Sequence, residues 1–369
     1  MVSFRDEPGS AKTYNRIKLA LGVFSSLIAF LFLVILVMSG LTLQIERTIT
    51  AIAGNSPVAF LIFVLTVAVA QGLLSLPVRY VSGYIVEHRY RLSNQSVGRW
   101  AWEHAKATMI SVPLLIGISF VVFISLRMYG SFWWIAVGTV LTLLSVVLAR
   151  LGPVLLLPLF YRCTPLQGGP LKERLLELCA AAGVHSDGIF SFNLSKNTKK
   201  ANAGLAGIGR TRRIVIGDTL LQDFSQDEIE AVFAHELGHY VHHHIWIGIA
   251  LGVVSTFTGL FITAQLYAWS LPFFGFTGER QIAALPLLAI WFSLFGLIVA
   301  PAGNILSRYH ERQADTYAVR ATGKRNAFVS ALRRLATMNL ADPDPHPLIE
   351  FLFYSHPSIA RRIRMLESL

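Results

Sequence analysis

The chain of 369 residues carries 32 basic and 21 acidic side chains, a formal net charge of +11, yet only 14% of its residues are charged. Soluble globular proteins carry about 25% charged residues. With a mean hydropathy of +0.55, the composition excludes an ordinary soluble protein and indicates a polytopic membrane protein. The basic excess fits either nucleic-acid binding or the cytoplasmic loops of a membrane protein. The apolar segments favour the second, so we expect a lipid bilayer and no nucleic acid as partner.

Six apolar segments are about 20 residues or longer, the length that a helix needs to cross a bilayer. They lie at 18–42, 57–80, 108–127, 132–157, 245–270 and 283–306. Lys and Arg are concentrated in alternate loops and in the tail. Because basic loops stay on the cytoplasmic side, we expect both termini and all long hydrophilic segments there.

The long hydrophilic segment before the fifth span combines helix and strand patterns. An amphipathic helix is predicted at 170–183, and strands at 189–194, 201–209 and 214–216. The middle strand is glycine-rich and fits a flexible loop equally well. The sequence SQDE at 225–228 fits a capping box. Helical spacing then continues into the fifth span, which predicts one helix of about 45 residues, roughly 65 Å long.

On this predicted helix, residues 235–239 read HELGH. His235 and His239 are four positions apart, so both imidazoles lie on one helical face and can bind one zinc ion. Glu236 lies beside them and can take a proton from a water molecule. The pattern alone is moderately specific, and the alternative is a pair of surface histidines near a helix start.

Glu311 is the candidate for the third ligand that a catalytic zinc usually has. It follows the sixth span by about five residues, and His239 precedes the fifth span by about six. The two spans form an antiparallel hairpin, so both residues project about 8–9 Å beyond its cytoplasmic end and meet at one height. Asp315, one turn further, can accept the second N–H of a ligand histidine. The alternative is a solvated, charged helix exit.

Three further histidines, His242, His243 and His244, follow the HELGH motif, and His310 precedes Glu311. We interpret them as interfacial residues near the lipid headgroups. Competing metal sites are the alternative.

Together these motifs resemble the type I CAAX prenyl protease family, integral-membrane zinc peptidases of the glutamate-zincin class. The resemblance covers most of the chain, and the two zinc motifs and the C-terminal motif are specific in combination. It is carried by YIVEHRYRLSNQ at 84–95, GPVLLLPLFYRCTPL at 152–166, Asn202-Ala203 followed by RRIVIGDTLL at 212–221, AHELGHYVHHH at 234–244, ERQAD at 311–315, and YSHPS at 354–358 followed by Arg362.

The resemblance implies one zinc ion, bound by His235, His239 and Glu311. It also implies that Glu236 acts as general base and then as acid to the leaving amine.

For the remaining site residues, the resemblance implies that Asp315 orients a ligand. It implies that His356 and Arg362 contact the substrate carbonyl and stabilise the developing oxyanion. It places Asn202 and Ala203 at an edge strand on which the substrate backbone pairs. Without the resemblance, His356 reads as a helix-entry histidine before proline.

We therefore expect a mainly α-helical polytopic membrane protein of about six transmembrane helices with a small cytoplasmic α+β metalloprotease portion. The expected parts are an N-terminal membrane region with four spans (1–157), a cytoplasmic protease loop (158–244), a two-span hairpin (245–306) and a cytoplasmic C-terminal catalytic segment (307–369). Members of the resembled family carry seven spans, so one span before Tyr84 is missing here.

The expected function is zinc-dependent cleavage of peptides or membrane proteins at the cytoplasmic face of a bacterial inner membrane. The substrate could be a prenylated C-terminal CAAX peptide. One alternative is a quality-control protease with the same residues and other substrates. A metal-binding membrane sensor is a weaker alternative, because a sensor needs an external ligand-binding domain and the predicted external loops of this chain are too short to form one.

Overall fold

The computed structural model describes residues 9–184, 188–207 and 213–369, and these residues are mainly helical. The helices are α1 (Ser10–Met38), α2 (Leu41–Ala53), α3 (Pro57–Tyr80), α4 (Val86–Arg89), α5 (Val97–Tyr129), α6 (Trp133–Leu151), α7 (Leu157–Phe160), α8 (Pro170–Ala181), α9 (Asp218–Asp223), α10 (Gln226–Val241), α11 (His244–Ser270), α12 (Leu285–Thr322), α13 (Arg325–Asn339), α14 (Pro347–Phe353) and α15 (Ile359–Glu367). The strands are β1 (Cys163–Pro165), β2 (Ile189–Phe192), β3 (Ala203–Ala206) and β4 (Arg213–Gly217).

Five helical segments of the described chain are long and apolar enough to cross a membrane. One of them, Val97–Phe160, turns near Gly130, where φ is +53°, and its two arms α5 and α6 pack against each other. The predicted spans at 108–127 and 132–157 are these two arms. The six predicted spans thus correspond to the five segments.

The long helices pack in a ring, in the order α1, α3, α5, α6, α11, α12 and back to α1. In each apolar segment, no more than 33% of the most apolar stretch is buried inside the protein. The rest of that apolar surface needs a hydrocarbon environment, because water would oppose its exposure. Near one end of the ring, an apolar cluster that includes Trp133, Tyr267 and Leu287 fills the space between the helices.

A four-stranded sheet in the order β1-β2-β4-β3 lies between α7 and α9 in the chain. β2 and β4 pair in parallel, and β1 and β3 pair antiparallel at the two edges. Ile214 and Ile216 of β4 are buried in a cluster with Leu175 of α8 and with Phe233 and Leu237 of α10. This packing fixes α10 against the sheet.

The glycine-rich segment is a strand, β3, rather than a flexible loop. Its antiparallel register pairs Gly204 with Val215. The predicted strand at 201–209 extends beyond it, and residues 208 and 209 lie outside the described residues, as does Arg212 of the motif at 212–221.

The prediction of one continuous helix of about 45 residues is wrong. α10 ends at Val241 and α11 begins at His244, with His243 between them in the left-handed region at φ +57°. A left-handed residue breaks the helical hydrogen-bond ladder and redirects the chain. The first part of the prediction is confirmed, since Ser225 and Glu228 form the expected capping box.

Candidate metal centre

α10 and α12 approach very closely because each contributes a small residue at the crossing. A Cβ atom added at Gly238 would lie 2.8 Å from the Cα of Ala314. No side chain larger than hydrogen therefore fits at this position without moving a helix. Gly238 lies within the HELGH motif and Ala314 within the ERQAD motif, so this contact brings the two motifs together.

The side chains of His235, His239 and Glu311 on these helices bring their metal-ligand atoms together in a donor triangle, in which each histidine faces a different carboxylate oxygen of Glu311. Nε2 of His235 and Nε2 of His239 are 3.3 Å apart. Oε1 of Glu311 is 3.3 Å from His239 Nε2, and Oε2 of Glu311 is 3.4 Å from His235 Nε2. Among the described residues, this is the one group of three or more His, Cys, Asp or Glu side chains whose ligand atoms are close enough together to hold a metal ion.

The triangle has the size that a zinc ion requires. Nitrogen and oxygen ligands lie about 2.0–2.2 Å from zinc, so two of them in a tetrahedral arrangement are about 3.3–3.6 Å apart. The donors are two imidazoles and a carboxylate, a set that also suits zinc. Oε2 of Glu311 is buried and has no hydrogen-bond donor among the described residues. A bound cation would satisfy that oxygen.

Asp315, which is paired with Arg362, lies next to Nδ1 of His235, the ring nitrogen that does not face the donor triangle. Oδ1 of Asp315 lies 2.8 Å from Nδ1 of His235, on the side of the ring opposite Glu311. Arg362 donates two hydrogen bonds to Asp315, from Nε at 2.9 Å and from Nη2 at 2.5 Å. All three side chains are buried.

The electrostatics at His235 favour a cation. Burial lowers the pKa of His235, but the carboxylates of Asp315 and Glu311 outweigh burial and raise this pKa to about 9. A proton on the ring and a metal ion beside it are stabilised by the same negative potential.

The loop before α15 brings His356 next to Glu311. Its Nε2 lies 3.3 Å from Glu311 Oε1, and its Nδ1 is 2.9 Å from the Ser355 hydroxyl. Arg308 of α12 anchors this loop, because its guanidinium donates hydrogen bonds to the carbonyls of Glu350 and Tyr354. Arg362 approaches the other oxygen of this carboxylate, with Nη1 3.7 Å from Glu311 Oε2.

A cleft of about 360 Å³ joins all of the sequence-predicted site residues except His239 and Asp315. Glu236, His356 and Arg362 line it beside the triangle, and Asn202 and Ala203 line it at the strand edge. β3 is an edge strand, since the sheet pairs it on one side only, with β4. The cleft therefore offers an extended peptide both a backbone edge and a polar centre.

The strand edge is tied to α13 by a residue that the sequence analysis missed. The Asn339 side chain accepts a hydrogen bond from the Ala201 amide and donates one to the Ala201 carbonyl. No motif marks Asn339, because its partner is backbone 138 residues away. Phe328 and Leu332 of α13, also missed, form an apolar part of the cleft wall.

The interpretation of His244 as a headgroup-facing residue is wrong. This side chain is 6% exposed, and its Nδ1 lies 3.0 Å from Nδ1 of His239. Its Nε2 contacts Gln313, which the sequence analysis also passed over. His310, for which the same interpretation was made, is also buried, whereas His243 is exposed.

Fold and site together define a membrane-embedded metallopeptidase: apolar helices, an HELGH helix, a glutamate on a neighbouring helix and an open strand edge. Residues 165–369 match the model of peptidase family M48. Residues 6–162 match the model described as the CAAX prenyl protease N-terminal region with five membrane helices. The chain belongs to peptidase family M48, as a membrane metalloendopeptidase of the CAAX prenyl protease type.

Individual relatives align over most of the chain. An uncharacterized metalloprotease of Bacillus subtilis is 32% identical over 92% of this chain and 80% of its own length. CAAX prenyl protease 1 of Saccharomyces cerevisiae is 30% identical over 80% of this chain and 69% of its own length. The crystal structure of S. mikatae Ste24p has a TM-score of 0.87 at 24% identity, covering 97% of this chain and 88% of that one, and shows the same fold.

The family model names five membrane helices in its N-terminal region, whereas the matched residues here contain four of spanning length. α2, between the first two of them, has 13 residues. It would extend about 20 Å, less than the hydrocarbon thickness. In the region before Tyr84 where the expected span is missing, the chain therefore has the short helix α2 instead.

Proposed function

We propose that the protein is a zinc-dependent endopeptidase. The observation that carries the proposal is the donor triangle beside Glu236, in a cleft with a free strand edge. Its two Nε2 atoms lie 3.3 Å from each other, and each lies 3.3 to 3.4 Å from the nearer carboxylate oxygen of Glu311. His235, His239 and Glu311 hold one zinc ion, and the open side of the triangle faces the cleft.

Glu236 is the general base in this proposal. When bound, zinc supplies a Lewis acid that polarises the scissile carbonyl and lowers the pKa of a water molecule. Glu236 accepts the proton of the attacking water and then donates it to the leaving amine. Its place in the cleft, one residue after His235, supports both roles.

His356 and Arg362 stabilise the developing oxyanion. Both lie beside Glu311 on the cleft side, and donors placed where negative charge develops lower the barrier of acyl transfer. Asp315 is a positioning residue. Its Oδ1 faces Nδ1 of His235 at 2.8 Å, and a proton held on that nitrogen would leave the Nε2 lone pair of the ring for the metal.

The substrate is an extended peptide that pairs with the edge of β3 near Asn202 and Ala203. Backbone pairing on an edge strand gives affinity and register without reading a sequence. An apolar wall of Val232, Phe328 and Leu332 faces the same cleft, which favours apolar side chains next to the scissile bond.

The names of several relatives extend the proposal to C-terminal CAAX-type peptides, with or without a prenyl group. Quality-control cleavage of membrane proteins would use the same residues. We place the protein in a bacterial inner membrane, with both termini and the active site on the cytoplasmic side, because the basic loops support that orientation. No nucleic acid takes part.

The proposal is tested by cleavage, in detergent, of one CAAX-type peptide in prenylated and unprenylated forms. Removing the metal with a chelator should stop cleavage, and restoring one equivalent of zinc should return it. Faster cutting of the prenylated form supports CAAX processing. Equal cutting of both forms supports the quality-control function, and cleavage that survives complete metal removal refutes the metal-dependent mechanism.

A further inference from the structure

The two histidines of the triangle have different partners on their second ring nitrogen. Nδ1 of His235 faces the carboxylate of Asp315 at 2.8 Å. Nδ1 of His239 faces another imidazole, Nδ1 of His244, at 3.0 Å. Nε2 of His244 in turn lies 3.0 Å from Oε1 of Gln313. A chain of two side chains without a carboxylate, His244 and then Gln313, therefore stands behind the second histidine.

The chemistry of these groups permits only one pattern of protons that leaves His239 able to bind a metal. An amide oxygen only accepts, so Nε2 of His244 must donate to Gln313. In a neutral imidazole the other nitrogen is then an acceptor, so Nδ1 of His239 must donate to His244. The remaining nitrogen of His239, Nε2, keeps its lone pair and points into the triangle.

The surroundings hold this pattern in place. The Gln313 amide nitrogen lies 3.4 Å from the Tyr309 hydroxyl, and the amide oxygen lies 3.0 Å from Nε2 of His244. The His244 ring stacks on His310, with centroids 3.9 Å apart and planes at 11°. The buried His244 ring cannot rotate away from this position without losing its stack on His310 and its contact with Gln313.

We propose that His244 and Gln313 are positioning residues that fix the tautomer and ring orientation of His239 for zinc binding. This inference rests on the proposed zinc site. A neutral relay suits this position, since Glu236, Glu311 and Asp315 already supply three carboxylates against one buried Arg362. Partners of metal-binding histidines typically contribute 10–100-fold to metal affinity.

The test is the zinc dissociation constant of the full-length protein in detergent, measured by competition with a chelator. Gln313→Leu removes the acceptor, and His244→Phe keeps the ring stack but removes both nitrogens. Each should weaken zinc binding about 10–100-fold. Gln313→Glu keeps an acceptor and should bind zinc close to the wild-type constant. His243→Asn, an exposed neighbour in a conformation that Asn tolerates, should leave it unchanged.

A double variant separates positioning from a general loss of structure. Because the two residues act in one chain, His244→Phe with Gln313→Leu should lose no more affinity than His244→Phe alone. The metal-free melting temperatures of Gln313→Leu and wild type should agree. Unchanged affinity in Gln313→Leu, or losses that multiply in the double variant, would overturn the inference alone. A wild-type protein that binds no zinc would overturn the proposed function as well.

Discussion

Arg362 and Asp315 form a buried, doubly hydrogen-bonded ion pair. The Asp315 carboxylate also faces Nδ1 of His235 at 2.8 Å. Arg362 balances the charge of Asp315, which leaves Glu311 and Glu236 to balance a divalent cation. Such a pair contributes little net stability when both partners are present, but removing one partner leaves an uncompensated buried charge. The structural and chemical roles of this pair are therefore coupled.

Replacement of Arg362 by Leu should destabilise the metal-free protein by about 3–5 kcal/mol, because the Asp315 carboxylate loses its buried counter-charge. Arg364, exposed on the same helix α15, provides the matched control, and Arg364→Leu should change stability little. Denaturant unfolding of the detergent-solubilised variants measures the difference. Equal stability of the two variants would mean that the Asp315 charge is compensated in another way.

At the residue scale, the sequence predicts the groups that carry recognisable spacing. HELGH and ERQAD supply His235, His239, Glu311 and Asp315, which the structure brings together. His244 could not be identified in this way, because three successive histidines look alike in sequence and only tertiary packing buries one of them. Gln313 was missed for a related reason, since its partner depends on how α12 faces α11.

Among the elements, the crossing of α10 and α12 determines the width of the donor triangle. Gly238 and Ala314 let the helix backbones meet, and the donors lie within one turn of that contact. Packed interiors transmit small displacements, so a shift of one helix changes the donor distances directly.

Gly238→Ala should therefore weaken zinc binding and destabilise the protein by about 1–3 kcal/mol, as overpacking does. Its added methyl group would meet the Ala314 backbone at 2.8 Å, and a backbone cannot yield as a flexible side chain can. Gly252 of α11 has no neighbour within 4 Å of the corresponding position among the described residues. Gly252→Ala is the control and should leave zinc affinity unchanged. Zinc affinity and unfolding are measured on both variants, and identical behaviour of the two would contradict the close-packing argument.

Element types follow from the sequence more reliably than the points where elements break. Residues 241–244 contain no proline or glycine, so nothing local predicts the left-handed turn at His243. β1 was also missed, because three residues ending in Pro165 carry no alternation and are held by pairing with β2. In both cases tertiary contacts override a local pattern.

On the scale of the whole molecule, a ring of apolar helices carries the sheet and the C-terminal helices at one end. The positions of the apolar segments were predictable from hydropathy alone, since a bilayer sets their minimum length. The helices α5 and α12 extend well beyond the predicted spans. The closed ring was not, because each helix is apolar on most sides and its sequence does not specify which neighbours it contacts. The bilayer orientation is a prediction from charge and not from packing.

That orientation predicts opposite labelling of the two ends. In a variant whose two native cysteines are replaced, a cysteine at Thr277 should react in whole cells with a maleimide that does not cross the inner membrane. A cysteine at Ser368 should react only after the membrane is opened. Both positions are exposed, so access and not burial decides the result. Labelling of Ser368→Cys in intact cells would reverse the orientation.

The most direct test of the central claim compares Glu236→Gln with wild type, measuring zinc content and peptide cleavage on the same preparations. The account predicts one zinc per chain in both proteins, since Glu236 is no ligand. It also predicts a cleavage rate reduced by about 10²–10⁴-fold in the variant, the usual contribution of a general base. A variant that keeps its zinc and cleaves at the wild-type rate would contradict the assignment of Glu236. A variant that loses its zinc would contradict the assignment of the ligands.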